Sequence, residues 1–196
     1  SKPENRTRSY ALNRLAVNIG WAVGNALGGI LASIDYKLLF WVDGITNIVA
    51  ALLLWYFLRP SQQYATTEEK KEAPNPLHSP YRDKVFLLFA FLTMIFACAF
   101  FQFLGNTNAY YKIELRFSEQ FIGFLGALNG ILIAIVEMVL VYKLEGRRST
   151  TYYIIRGVLL VGLAYFLFNL LDMDHLFAIL VVTVLTIGEI LALPFM

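Results

Sequence analysis

The sequence is poor in charge. Charged residues make up only 15% of its 196 residues, whereas ordinary soluble domains contain roughly 25%. The 16 basic and 14 acidic residues almost cancel, so the chain lacks the strong positive charge of a nucleic-acid-binding protein. Apolar residues account for 58% of the chain. This composition excludes a typical soluble domain and indicates a membrane protein.

The chain also has few residues that carry chemistry. Its single cysteine, Cys98, excludes an internal disulfide, and its two histidines, His78 and His175, lie too far apart in the sequence to predict a metal site. It contains no phosphate-binding Gly-Lys-Ser/Thr loop and no nucleophile paired with a base. We therefore expect neither enzyme activity nor a bound cofactor.

The ends of the chain lack the usual boundary signals. The sequence begins Ser-Lys-Pro-Glu without an initiator Met or a signal peptide, and it ends with Pro194-Phe195-Met196 directly after an apolar run. We expect it to be a piece of a longer protein.

Long runs without charge are the main positive feature. No charge occurs in the 27 residues between Lys84 and Lys112 or in the 20 residues between Arg14 and Asp35, and about 20 apolar residues suffice to cross a bilayer. Lipid offers the backbone no hydrogen-bond partner, so each span must be helical. We predict an all-α, polytopic membrane protein with six spans, at residues 12–34, 38–58, 85–108, 120–142, 152–171 and 175–196.

The basic residues indicate the orientation of these spans. Thirteen of them fall on one side, and only three, Lys37, Lys112 and Arg116, fall on the other. The positive-inside rule places the first side, and with it both ends of the chain, in the cytoplasm. We expect a multi-pass protein of the cytoplasmic (inner) membrane. The thirteen are Lys2, Arg6, Arg8, Arg14, Arg59, Lys70, Lys71, Arg82, Lys84, Lys143, Arg147, Arg148 and Arg156.

A polar, proline-rich stretch divides the chain. Residues 59–84 carry four prolines and a mixed charge run, a composition that cannot form a core and is typical of a cytoplasmic linker. We therefore predict two spans in residues 1–58, the linker in 59–84 and four spans in 85–196.

Glycines recur every fourth residue in the first span. Gly20, Gly24 and Gly28 form one stripe along a helix, where missing side chains let a second helix approach closely. Simple helix packing and a gating contact between two halves of a transporter both explain such a stripe. The fourth span offers a matching small-residue face as a plausible partner, with Gly123, Gly126 and Gly130.

The same run resembles a motif of the major facilitator superfamily. In the fifth helix of its drug:proton antiporters the motif reads Gly, three residues, Gly-Pro, two residues, Gly-Gly, and Asn25 stands here in place of the proline. The resemblance implies that the six spans are helices five to ten of a twelve-helix, two-bundle transporter, joined by the 59–84 linker. The run reads Arg14-Leu-Ala-Val-Asn18-Ile-Gly20-Trp-Ala-Val-Gly24-Asn25-Ala-Leu-Gly28-Gly29.

A second run is similar to the basic loop motif between helices eight and nine of the same family. It consists of Gly146, Arg147 and Arg148, while Lys143 occupies the position of the motif's aspartate. A gating role and a simple charge anchor in the cytoplasm are both open interpretations.

Carboxylates inside the spans are candidates for proton coupling. Glu137 lies in the fourth span, Glu189 in the last and Asp43 near the external end of the second. Burial disfavours the charged form of a carboxylate, so the group can bind or release a proton as its access to water changes sides. Structural alternatives are an ion pair of Glu137 with a basic residue near the cytoplasmic face, such as Lys143 or Arg147, an interhelical hydrogen bond for Glu189, and a cap or interfacial contact for Asp43.

Amide side chains in the spans are candidates for a substrate cavity. Gln102 and Asn106 are expected one turn apart on the third span, and Asn129 near mid-depth in the fourth. Buried amides also serve as interhelical hydrogen-bonding groups, so the same residues fit a packing role.

Together these features predict a secondary active transporter for a small organic compound. We expect drug or metabolite efflux by alternating access, with the proton gradient as energy source and the bilayer, protons and the remaining helices of the full-length transporter as partners. Proton-coupled uptake of a sugar or peptide is an alternative, and a non-transporting membrane receptor or scaffold is another.

Overall fold

A computed structural model describes residues 6–57, 83–103, 105–144, 147–170 and 174–196. These residues contain helices and no β-strand, which confirms the predicted all-α fold. Six segments are long and apolar enough to cross a membrane, as predicted. The helices are α1 (Arg6–Ile34), α2 (Tyr36–Phe57), α3 (Lys84–Phe101), α4 (Asn106–Ile113), α5 (Glu119–Leu144), α6 (Thr150–Leu170) and α7 (His175–Ala192), followed by a 3₁₀ turn (Leu193–Phe195).

The third span differs most from the prediction. It extends to Ile113 and is broken after Phe101, so that α4 occupies residues expected in an external loop. At the break, the backbone N–H of Phe103 donates to the carbonyl of Phe100 at 3.0 Å, a tighter turn than the α-helix. Residues 105–108, Gly-Asn-Thr-Asn, disfavour a helix interior. This explains why the helix does not run unbroken through the third span.

Acidic residues cap two of the spanning helices. The Asp83 carboxylate accepts hydrogen bonds from the backbone N–H groups of Val85 and Phe86 at the start of α3. Asp174 accepts one from Phe177 at the start of α7, at 2.7 Å. Such caps satisfy backbone groups that the helix leaves without partners and favour the positive end of its dipole. The capped ends mark where two apolar runs begin.

The packing centres on α5, which lies along α1 on one side and along α7 on another, while α6 packs against α7. A buried core forms between α4, α5, α6 and α7, and Tyr111, Leu125 and Leu185 are its largest fully buried side chains. Helix α2 packs beside α1 and buries none of its residues. The predicted 59–84 linker lies outside the described residues, apart from Asp83 and Lys84, so the domain division stays a prediction.

Candidate functional site

Helices α1 and α5 meet in backbone contact. A methyl group added at Gly29 would lie 2.6 Å from the backbone oxygen of Glu119 and 2.9 Å from the Cα of Gly123. A methyl group at Gly123 would lie 2.5 Å from the backbone oxygen of Asn25. These distances are too short for any side chain, so glycine is required on both helices, as in other close contacts between membrane helices.

The small-residue face of α5 continues this contact. The side chain of Asn25 covers Gly126, and Ala22 packs on Gly130 beside the backbone oxygen of Asn18. The amide of Asn25 donates to the carbonyl of Trp21 at 2.8 Å, so it is satisfied within α1. The glycines of the fourth span therefore face the first span, as expected, but the expectation that they pack on the stripe of Gly20, Gly24 and Gly28 is wrong.

The glycine stripe of α1 faces elsewhere. The contact with α5 uses Asn18, Ala22, Asn25 and Gly29. Side chains added at Gly20 or Gly24 would meet nothing within 4 Å, and one at Gly28 would meet only the tip of Leu39, at 3.9 Å. Neighbouring residues in a helix point about 100° apart, so two adjacent stripes serve different faces. The role of this stripe as a packing or gating surface stays a prediction.

A cavity of about 450 Å³ lies beside the glycine stripe. Gly20, Gly24 and Gly28 form part of its wall. Asp43 also lines it and is exposed. Its lining further includes Trp21, Asn25, Tyr36, Asn108, Lys112 and Glu119.

Glu137 is paired across the α1–α5 contact. Its Oε1 atom lies 2.6 Å from Nε of Arg14, and its side chain is only 8% exposed, against 39% for Arg14. The ion pair expected as the structural alternative is therefore present, and its partner is Arg14, one of the basic residues predicted to be cytoplasmic, although Lys143 and Arg147 were the examples expected. Among the described residues, the second oxygen of Glu137 is buried without a hydrogen-bond partner.

Glu189 is held by Asn129. The Asn129 amide donates to Oε2 of Glu189 at 3.0 Å and to Oγ1 of Thr186 at 2.9 Å. The Thr186 hydroxyl in turn donates to the carbonyl of Val182 at 2.7 Å. The interhelical hydrogen bond expected as the structural alternative for Glu189 is therefore present. The amide expected to line a cavity is used here between α5 and α7.

These two sites share one side of α5. Asn129, Ile133 and Glu137 are spaced by four residues and are all buried, so Asn129 and Glu137 lie about 12 Å apart along one face. A polar seam thus runs from α1 through α5 to α7.

A second set of polar contacts lies at the other end of α5. The carboxylate of Glu119 forms an ion pair with Lys112 and accepts a hydrogen bond from the hydroxyl of Tyr36 at 3.2 Å. Close by, the amide of Gln120 donates to the hydroxyl of Ser33 at 3.2 Å. Sequence reasoning missed this set, although Lys112 was recognised as one of three cations expected outside the cytoplasm.

Other predicted site residues are scattered. Gln102 ends α3 and Asn106 begins α4, and both are exposed. Because the helix is broken between them, the expectation that they lie one turn apart on one helix is wrong. Arg147 and Arg148 lie exposed in the turn between α5 and α6, whereas Gly146 lies outside the described residues.

Comparison with known proteins identifies the class of this six-span fold. The family model described as Major Facilitator Superfamily matches residues 1–196, so the chain belongs to this superfamily. It is 21% identical over 196 residues to the uncharacterized MFS-type transporter YttB of Bacillus subtilis (strain 168). That alignment covers 98% of this chain and 48% of YttB, so the chain spans about half the length of this relative. No solved structure matches the chain significantly.

Proposed function

We propose that the chain is part of a secondary active transporter that moves a small organic compound, a drug or metabolite, out of the cell in exchange for protons. In this proposal its spans are helices five to ten of twelve in the cytoplasmic membrane. The basic ends of the spans, including the end of the first span that carries Arg14, face the cytoplasm. Membership of the superfamily supports transport in general. The Arg14–Glu137 pair across the α1–α5 contact is the observation that supports proton coupling.

The α1–α5 contact has the form that alternating access requires. It is smooth at its centre, where glycines bring the backbones together, and it carries a polar tie at each end, Arg14–Glu137 at one and Ser33–Gln120 at the other. Seventeen residues separate Gln120 from Glu137, about 26 Å along the helix, which is close to the thickness of the hydrocarbon core. Opening one end at a time while the centre stays in contact exposes a midplane site to one side or the other.

Protonation of Glu137 is the step that couples proton movement to the opening of the α1–α5 contact. The proton neutralises the carboxylate and removes its attraction for Arg14. This frees the end of the contact that lies near the start of α1. Release of the proton restores the charge, and the ion pair closes that end again. The buried oxygen of Glu137 is the acceptor available for this proton.

The test uses the full-length protein in cells and in proteoliposomes. Ethidium efflux is measured with and without a collapsed proton gradient, for the native protein and for Glu137→Gln and Glu189→Gln. We expect Glu137→Gln to abolish the gradient-dependent part of efflux, because a permanently neutral side chain cannot exchange a proton. Glu114→Gln, a change of an exposed carboxylate outside both polar ties, is the matched control and should transport normally.

Several outcomes would contradict the proposal. Unchanged gradient-dependent efflux in both variants would remove proton coupling through these carboxylates. Gradient-driven uptake of a radiolabelled disaccharide or dipeptide, without ethidium efflux, would favour the symporter. Absence of any transport by the folded native protein, with these probes, would favour a receptor or scaffold.

A further inference from the structure

Two arginines lie on one aromatic ring where α5 turns into α6. The guanidinium carbon of Arg156 lies 4.4 Å from the ring centroid of Tyr152, and that of Arg148 lies 5.8 Å from it. Both distances fall within the range in which an aromatic face attracts a cation. One ring therefore lies close to two guanidinium groups, one from a residue before the start of α6 and one from a residue within α6.

This arrangement rests on a fixed base. The hydroxyl of Tyr153 donates to the carbonyl of Leu144 at 2.9 Å, which ties the end of α5 to the first turn of α6. Tyr153 is buried, and its ring stacks on Phe195 with centroids 4.9 Å apart. The neighbouring Tyr152 is thereby held at the edge of the bundle.

The region has a net positive charge, since its one carboxylate in residues 143–156, Glu145, which lies outside the described residues, is outnumbered by cations. Lys143 and Arg147 are exposed beside Arg148 and Arg156, which makes four cations in fourteen residues. In the part of the chain that the structure describes, the ion pairs are those of Glu137 and Glu119, with other partners. Bringing like charges together on one ring is favourable only with an anion beside them.

The depth of Arg156 identifies the kind of anion. It lies six residues after the start of α6, about 9 Å along the helix, within a span. Its neighbours on the exposed side, Ile155 and Leu159, are 54% and 67% exposed. A dissolved inorganic anion would contact only the arginines. A phospholipid would contact the arginines through its phosphate and these apolar side chains through its acyl chains.

We propose that Arg148, Arg156 and Tyr152 form a binding site for the headgroup of an anionic phospholipid. The phosphate accepts hydrogen bonds from the two guanidinium groups, whose planar geometry suits phosphate oxygens. The basic side of the protein is the side predicted to be cytoplasmic, where anionic lipids attract such clusters. The site does not depend on the transport function proposed above.

Native mass spectrometry of the full-length protein tests this site. The protein is purified in detergent with equal amounts of phosphatidylglycerol and phosphatidylcholine, and retention of each lipid is measured. We expect the native protein to prefer phosphatidylglycerol. Arg148→Gln combined with Arg156→Gln should lower that preference by about thirtyfold, from about fivefold for each cation.

The control changes the same charge at the other end of the bundle. Lys37→Gln combined with Arg116→Gln removes two exposed cations there and should leave lipid retention within about twofold of the native value. Tyr152→Phe keeps the ring and should retain the preference, whereas Tyr152→Leu should weaken it. If the Arg148→Gln, Arg156→Gln variant does not fold, Arg148→Lys combined with Arg156→Lys keeps the charge and should bind phosphatidylglycerol more weakly than the native protein.

Three results would overturn the proposal. One is an unchanged lipid preference in the folded Arg148→Gln, Arg156→Gln variant. Another is an equal loss in the Lys37→Gln, Arg116→Gln control, since this would show a general effect of net charge. The third is displacement of the lipid by 10 mM inorganic phosphate (about 10⁴ times a micromolar protein concentration), because the site would then take a free anion.

Discussion

Replacing Gly123 by alanine gives a sharp test of the α1–α5 contact. The added methyl group would lie 2.5 Å from the backbone oxygen of Asn25 and 2.8 Å from the Cα of Gly29. Both neighbours are backbone atoms, which cannot rotate away as a side chain would. The two helices must therefore separate by roughly 1 Å to reach ordinary contact distance, and they lose packing along several turns.

The size of the effect follows from two opposing terms. Alanine in a helix is favoured over glycine by about 1 kcal/mol, while overpacking a close contact costs about 1–3 kcal/mol. Gly162→Ala isolates the first term, because a side chain at this position of α6 meets nothing within 4 Å, so the difference between the two variants gives the second. We expect the free energy of unfolding of Gly123→Ala to fall about 1–3 kcal/mol below that of Gly162→Ala.

Thermal unfolding of the purified full-length protein, in one detergent and at one lipid content, provides the measurement. Gly162→Ala should melt at or slightly above the native temperature, and Gly123→Ala clearly below Gly162→Ala. Equal melting temperatures for the two variants would show that α1 and α5 do not meet in backbone contact.

Three further changes probe the remaining contacts. In a background without the native cysteine, Ser33→Cys with Gln120→Cys should react with a short, reducible thiol cross-linker. Ethidium efflux should then stop until the linker is reduced. Efflux by the cross-linked protein would contradict the proposal that this end of the α1–α5 contact opens during transport. Asn129→Leu should lower the free energy of unfolding by about 1–3 kcal/mol, because it leaves the buried oxygen of Glu189 unpaired; combined with Glu189→Leu, part of the loss should be recovered. Asp174→Ala should cost about 1 kcal/mol through loss of the α7 cap, and Asp174→Asn much less, both read from thermal unfolding.

The spans were predictable because their signal is local. A run without charge must be long enough to cross the hydrocarbon core, and this requirement identified all six segments. The break after Phe101 was missed because the run from 85 to 111 has no charge, although Gly105 and its polar neighbours carried a weak signal. Local chemistry there overrode the apolar pattern.

Partners across helices were harder to predict, because sequence spacing does not give the order of helices in space. The small size of the fourth-span glycines pointed to the first span, but not to the face of α1 that carries Ala22, Asn25 and Gly29. An ion pair of Glu137 with a basic residue near the cytoplasmic face was expected, but the sequence did not single out Arg14, which lies 123 residues away. Asn129 could be recognised as a buried amide, whereas its bond to Glu189 depends on how α5 meets α7.

The spacing of small residues on α5 also defines how far α1 can travel along it. After Gly123, Gly126 and Gly130, the next residue on this face is Ala134. A slide by one helical turn, about 5.4 Å, would carry Asn25 from Gly126 to Gly130, and Ala22 from Gly130 to Ala134. A methyl group at Gly130 would lie 2.9 Å from the Cβ of Ala22, so the methyl group of Ala134 would obstruct this second register in the same way, and the contact favours the present one.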